Sequence, residues 1–120
     1  MKTKRKICIV TGSRAEYELL RPLVREVQSD PTLICKLVVT GMHLSPEYGL
    51  TYKQIEADGF RIDAKIEMLL SSNTETSITK SVGLGVFGFA STYEKIKPDL
   101  VVLLGDRFEI LAAAQAAMFM

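Results

Sequence analysis

Four side chains in this sequence are of types that do chemistry and fall where a fold could gather them: Arg14, His43, Asp106 and Arg107. Each follows a short apolar run. Val10-Thr-Gly12-Ser13-Arg14 ends the first such run, Val39-Thr-Gly-Met-His43 the second, and Leu104-Gly-Asp106-Arg107 the last. A strand leading through small residues into a helix start makes an anion cradle. Free backbone N–H groups and the helix dipole favour negative charge there, and an arginine fork adds bidentate phosphate contacts. Gly12, Ser13 and Arg14 fit that description, and equally an ordinary capped turn beside a solvated arginine. His43 could bind substrate or move a proton, or serve as a satisfied structural imidazole. Asp106 could act as general acid or base once water is excluded, or simply cap the next helix and pair with Arg107.

These residues matter together only if one edge of a sheet collects them. The hydrophobic pattern predicts strands at Ile7–Val10, Leu33–Thr40, Phe60–Ile66 and Leu100–Leu104, the last a continuous apolar run as for a parallel strand covered on both faces. Helices are predicted at Ala15–Gln28, Tyr48–Ala57, Thr74–Ile96 and Phe108–Met120. In the first, Leu19, Leu20, Leu23, Val24 and Val27 form the apolar stripe; Thr74 caps the third and Pro98 stops it. Strand–helix alternation with short connections implies right-handed crossovers and a parallel sheet. The expected architecture is a Rossmann-like doubly wound α/β fold with strand order 3-2-1-4, whose ligands sit beyond the carboxyl ends of the strands.

Composition narrows the class. The 120 residues are 48% hydrophobic and 24% charged with net charge +1, so nothing suggests a polyanion-binding surface. The basic start (Lys2, Lys4, Arg5, Lys6) precedes too short an apolar run for a signal peptide, and no stretch approaches the ~20 apolar residues of a membrane span. Cys8 and Cys35 lie inside strand patterns; they could pair, but buried reduced thiols are the preferred reading, and a cytoplasmic location goes with it. One histidine and no Cys/His cluster argue against a metal site. Gly83-Leu-Gly85-Val-Phe-Gly88 spells a dinucleotide fingerprint but lacks the preceding strand the motif needs. Its glycines are read instead as small residues that let a helix pack closely, so no nicotinamide or flavin cofactor is expected.

Gly12-Ser-Arg-Ala-Glu-Tyr17, Thr40-Gly-Met-His43, Tyr48-Gly49, Lys97-Pro-Asp99 and Gly105-Asp-Arg-Phe-Glu109, in this order and spacing, closely resemble the N-terminal part of the hydrolysing UDP-N-acetylglucosamine 2-epimerases of sialic acid and related nonulosonic acid biosynthesis. The resemblance covers nearly all 120 residues. It implies that residues 1–120 form the N-terminal Rossmann-like domain of a two-domain glycosyltransferase-B arrangement, with a C-terminal nucleotide-binding domain and further catalytic acids beyond them. It implies removal of the C2 proton, elimination of UDP to a 2-acetamidoglucal and addition of water on the other face, giving N-acetylmannosamine and UDP without metal or redox cofactor. Asp106 then matches an acid–base residue, His43 a histidine near the sugar, and Arg14 and Arg107 nucleotide contacts, while Glu18 stands where some relatives carry a small hydroxyl residue. Another UDP-sugar, such as a diacetamido sugar, or a non-catalytic binding role are the alternatives. No nucleic acid or membrane partner is expected, homo-oligomers are common among relatives, and the 120 residues alone are expected to be inactive.

Overall fold

The computed structural model describes residues Lys4–Met120; Lys2 of the basic start lies outside them. Four parallel strands, β1 (Arg5–Thr11), β2 (Leu33–Thr40), β3 (Ala64–Ile66) and β4 (Leu100–Val102), form one sheet in the order β3-β2-β1-β4. Helices α1 (Arg14–Ser29), α2 (Tyr52–Ala57), α3 (Glu75–Ile96) and α4 (Phe108–Met118) cover both faces. The fold is the doubly wound α/β arrangement expected.

Alternation along the central strands sorts the two cores. Ile7 and Ile9 of β1, with Leu37 and Val39 of β2, pack on Tyr17, Leu20, Val24 and Val27 of α1 and on Ile55 and Phe60. Cys8, Val10 and Val38 point the other way, onto Phe89 and Tyr93 of α3 and Ile110, Ala112, Ala113 and Ala116 of α4. The same alternation keeps the thiols apart: Cys8 and Cys35 face opposite sides of adjacent strands and both are free, and burial pushes the Cys8 thiol up to about 12.

Several elements depart from the sequence pattern. β3 begins at Ala64 rather than Phe60, because Asp63 takes over the pairing ahead of it. Its carboxylate accepts the Leu37 N–H at 2.8 Å and its own N–H donates to the Leu37 carbonyl at 2.8 Å. Among the described residues β4 is three residues long and pairs with β1 alone, with Leu100 56% exposed, where the apolar run predicts a five-residue strand covered on both faces. On α1, Leu20, Val24 and Val27 are buried with Tyr17, whereas Leu19 and Leu23 turn outward. The helix expected over Tyr48–Ala57 is shorter, Tyr52–Ala57: two single 3-10 turns (Gly41–Leu44 and Pro46–Tyr48) precede α2, separated from it by Gly49 and Leu50 at positive φ. α4 stops at Met118, two residues short of the expected end.

The glycine-rich string lies in mid-α3. An ideal Cβ on Gly85 would sit 2.6 Å from Met68 Cε and 2.9 Å from Ala112 Cβ, and one on Gly88 2.6 Å from Ile66 Cγ2. Both are close-packing residues, as read from the sequence. Gly83 faces open space.

Candidate active site

The carboxyl ends of β1, β2 and β4 lie side by side, and each runs into a glycine: Gly12, Gly41 and Gly105. What these glycines make room for is a pair of buried carboxylates. Glu16, in the first turn of α1, and Glu109, in the first turn of α4, both point back under the rim. An ideal Cβ on Gly12 would approach Glu109 Cβ to 3.3 Å and Glu16 Oε1 to 3.4 Å. On Gly41 (φ 62°) it would meet Glu109 Cγ at 2.9 Å and the Gly12 carbonyl at 3.0 Å, and on Gly105 (φ 108°) Glu16 Oε2 at 2.8 Å. Each acid occupies space that a side chain on the strand end would take.

The two carboxylates are held differently. Glu109, fully buried, is gripped by Arg107: Nε and Nη2 each donate to one of its oxygens at 3.0 Å. This bidentate fork is the strong form of the interaction, and it raises the Arg107 guanidinium further above its ordinary range. Glu16 has no such partner. Ser13 caps α1 by accepting the Glu16 N–H at 3.3 Å, and Glu16 Oε1 accepts the Gly12 N–H at 2.9 Å. This is a capping box reaching one residue further back than usual. Burial, and next the negative charge of Glu109, push the Glu16 carboxyl above the ordinary carboxylate range, against the pull of the Gly12 N–H and of Arg107.

His43 is wholly buried beside the same rim. Nε2 lies 2.9 Å from Thr11 Oγ1 and Nδ1 2.9 Å from Thr51 Oγ1, and the Tyr17 ring stands edge-on at 6.3 Å. Because Thr11 Oγ1 donates to the Ser13 carbonyl at 3.3 Å, it is free to accept, which assigns the proton to Nε2 and leaves Nδ1 accepting from Thr51. Burial lowers the ring to about 4, with the Ser13 carbonyl opposing, so His43 is neutral at physiological pH with both nitrogens engaged.

Arg14 and Asp106 stand at the same edge but are exposed, and among the described residues neither makes a side-chain hydrogen bond or ion pair. Asp106 does not cap α4: the cap position is Arg107, with no side-chain capping bond, and Arg107 pairs with Glu109 instead of Asp106. The cradle at α1 differs from the expected one in a specific way. Its Gly12 N–H is taken by the protein's own Glu16, so an incoming anion would meet Arg14 and the remaining first-turn amides. Next to Arg107 a pocket of about 200 Å³ opens, walled by Ser45, Tyr48, Ser72, Asn73 and Phe108, with Glu47 at its side.

Sequence reasoning passed over Glu16 and Glu109 as functional residues, although both lie within motifs already quoted. The Ser13-to-Glu16 spacing is itself a capping-box signal. Arg107 and Glu109, two apart, are not a standard helix pair, so nothing local announced the fork. Of the pocket walls, Tyr48 and Phe108 fall within the quoted motifs, whereas Ser45, Ser72 and Asn73, from the loops after β2 and β3, carried no signal. Among the described residues, no cluster of three or more His, Cys, Asp or Glu could hold a metal ion, and no helix is long and apolar enough to cross a membrane.

Known proteins are similar to this chain in sequence and in fold. The chain is 48% identical over 118 residues to a Campylobacter jejuni protein named GDP/UDP-N,N'-diacetylbacillosamine 2-epimerase (hydrolyzing), covering 98% of this chain and 30% of that one. It is 42% identical over 114 residues to the Legionella pneumophila UDP-N,N'-diacetylbacillosamine 2-epimerase (hydrolyzing), covering 95% and 30%. The chain thus spans about 30% of the length of these curated relatives. The fold superposes on the crystal structure of UDP-GlcNAc 2-epimerase from Neisseria meningitidis bound to UDP-GlcNAc with a TM-score of 0.79 at 21% identity, over 95% of this chain and 29% of that one. A family model described as UDP-N-acetylglucosamine 2-epimerase matches residues 25–120, from mid-α1 through β4 and α4 with the Asp106-Arg107-Phe-Glu109 rim. By its fold, its carboxyl-edge motifs and that match, the chain belongs to the UDP-N-acetylglucosamine 2-epimerase family.

Proposed function

We propose that the chain supplies the N-terminal domain of a hydrolysing 2-epimerase, which releases the nucleotide from a UDP-linked 2-acetamido sugar and inverts C2. Of the substrates considered, UDP-N-acetylglucosamine and a UDP-linked diacetamido sugar, the second is favoured. The observation that carries this is the 48% identity, over nearly the whole chain, to a relative named for diacetylbacillosamine, with a second so named at 42%. In this reading the product of the simpler substrate would be N-acetylmannosamine, and that of the diacetamido sugar its C2 epimer.

The roles follow from position. Asp106, exposed at the β4 end and committed to no partner, is the group available to exchange a proton with the sugar. Arg14 and Arg107 meet the negative charge that grows on the departing nucleotide. Gly12 and Ser13 shape the backbone between them. His43, neutral and engaged at both nitrogens, acts by holding Thr11 and Thr51 rather than by giving up a proton. Elimination and rehydration of this kind call for acid–base groups and charge stabilisation. The free thiols suit a cytoplasmic setting, and the full-length enzyme is proposed to be a homo-oligomer.

A chimera tests this reading: the 120 residues replace the matching segment of the C. jejuni relative, and UDP release is followed with both sugars. Turnover of the diacetamido substrate is expected, falling at least about 100-fold in Asp106→Asn, the scale of a lost general acid or base. The 120-residue chain alone is expected to release no UDP. Turnover of UDP-N-acetylglucosamine alone would return the substrate to the simpler sugar, and turnover by the isolated chain would overturn the two-domain reading.

A further inference from the structure

Arg107 is held from one side and open on the other. Its Nε and one Nη2 hydrogen are taken by Glu109, while a guanidinium carries five N–H donors. Among the described residues, no hydrogen bond is made by Nη1 or by the second Nη2 hydrogen. Arg107 also lines the pocket at the strand ends, and Glu109 does not. Around the guanidinium the pocket offers neutral hydroxyl and amide groups from Ser45, Tyr48, Ser72 and Asn73, with one acid, Glu47, at its side.

Glu109 is itself immobilised. Its Cβ and Cγ lie against Gly12 and Gly41: an ideal Cβ on Gly12 would come within 3.3 Å of the first, and one on Gly41 within 2.9 Å of the second. Its place is therefore set by two strand ends, and the place of the guanidinium by Glu109. The other buried acid, Glu16, also acts on Arg107 through its charge but makes no hydrogen bond to it. An arginine free in solvent must be ordered when it meets an anion; here that ordering is done beforehand, which lowers the cost of binding.

We infer that Glu109 is a positioning residue: it grips one edge of the Arg107 guanidinium so that the opposite edge faces a phosphate group seated in the rim pocket. That the phosphate belongs to a nucleotide sugar rests on the function proposed above; the grip and its purpose do not.

The test uses the isotope-labelled 120-residue chain, the NMR signal of the Arg107 Nε–H, and two probes at millimolar concentration, inorganic phosphate and UDP. In the unmodified chain the Nε–H is expected to exchange slowly with water and to shift when either probe is added. Glu109→Gln keeps the shape but removes the charge. It is expected to speed Nε–H exchange and weaken both probes about tenfold, the scale of one lost charge-assisted contact, while the backbone amide spectrum stays folded. A purely structural Glu109 would leave probe affinity unchanged in that variant, and this result would overturn the inference. Should Glu109→Gln fail to fold, Arg107→Lys serves: it keeps the charge but cannot form the fork, and unchanged phosphate affinity would again overturn it. A response to phosphate with none to UDP supports the positioned guanidinium and counts against the nucleotide-sugar reading. No response of the Nε–H to either probe overturns the inference itself.

Discussion

Two parts of this molecule use the same device to opposite ends. On the back face, Gly85 and Gly88 drop their side chains so that α3 can sit against Met68, Ala112 and Ile66. At the rim, Gly12, Gly41 and Gly105 drop theirs so that Glu16 and Glu109 can lie beneath the strand ends. In the first case the freed space is filled by methyl and thioether groups, and burial there stabilises the fold at roughly 25 cal/mol per Å². In the second it is filled by carboxylates, whose burial costs free energy unless each finds a partner. Glu109 finds one in Arg107 and Glu16 only partly does. The back face therefore carries stability, and the rim spends some of it on a charged arrangement that a fold alone would not need.

Substitutions can sharpen or break that contrast. The largest effect is expected at Gly41→Ala. Its φ of 62° is unfavourable for alanine, and the new Cβ would press on a buried carboxylate stem and on the Gly12 carbonyl, neither free to move. Strain and overpacking together should cost about 4 kcal/mol in urea denaturation. A loss below about 1 kcal/mol would mean that the rim is soft.

Next comes acid sensitivity at His43. The unfolded ring takes a proton near 6.5 and the folded ring only near 4, so between those values the unfolded chain binds more protons. Stability is therefore complete above pH 6.5 and falls as pH drops toward 4, by about 3 kcal/mol for a shift of this size. Glu16 opposes this: its folded carboxyl takes a proton more readily than the unfolded one, so its contribution grows as pH falls through its raised range and is lost as pH rises. Denaturation midpoints from pH 7 to 4 should show the net decline, and His43→Gln should flatten it. An identical slope in the variant would remove His43 as the cause.

A smaller loss is expected on the back face. In Gly85→Ala the added methyl meets the end of a flexible methionine, which can yield, and Ala112, which yields less; about 1–2 kcal/mol should be lost. A loss equal to that at Gly41 would erase the distinction between rigid rim and adaptable back. The smallest effect has the opposite sign. Gly83→Ala meets nothing within 4 Å inside α3 and should stabilise the chain by about 0.5–1 kcal/mol, read as a raised midpoint.

Much of the architecture was legible because it rests on patterns that repeat. Alternating strands and helices specified the parallel sheet and its order, and placed Arg14, Asp106 and Arg107 at one edge. Where the pattern misled, the reason lies in pairing across space. Leu100–Leu104 is apolar enough for a central strand; among the described residues β4 pairs with β1 alone, and half of Leu100 is exposed. Leu19 and Leu23 belong to the apolar stripe by spacing, but the buried line runs through Tyr17, Leu20, Val24 and Val27, three or four residues apart, and leaves both facing outward. The carboxylate pair was illegible for a sharper reason. Sequence rules place charges on surfaces, and the burial of Glu109 depends on an arginine two residues away reaching back and on two glycines about 70 and 100 positions earlier in the chain. Two of the polar residues that the sequence offered at the rim, Ser13 and His43, are engaged in capping and in bridging two threonines.

The position of β1 has a consequence for time rather than for shape. It is the first of the described elements and lies inside the sheet, with β2 on one side and β4 on the other. The β2 neighbour arrives early, but Lys6 pairs with Asp99, 93 positions later, through its own N–H and carbonyl. Until that stretch is made and brought back, one side of the first strand has an open row of backbone donors and acceptors. Such long-range closure slows folding, so the strand that presents Gly12 to the rim is made well before the partner that seals its far side.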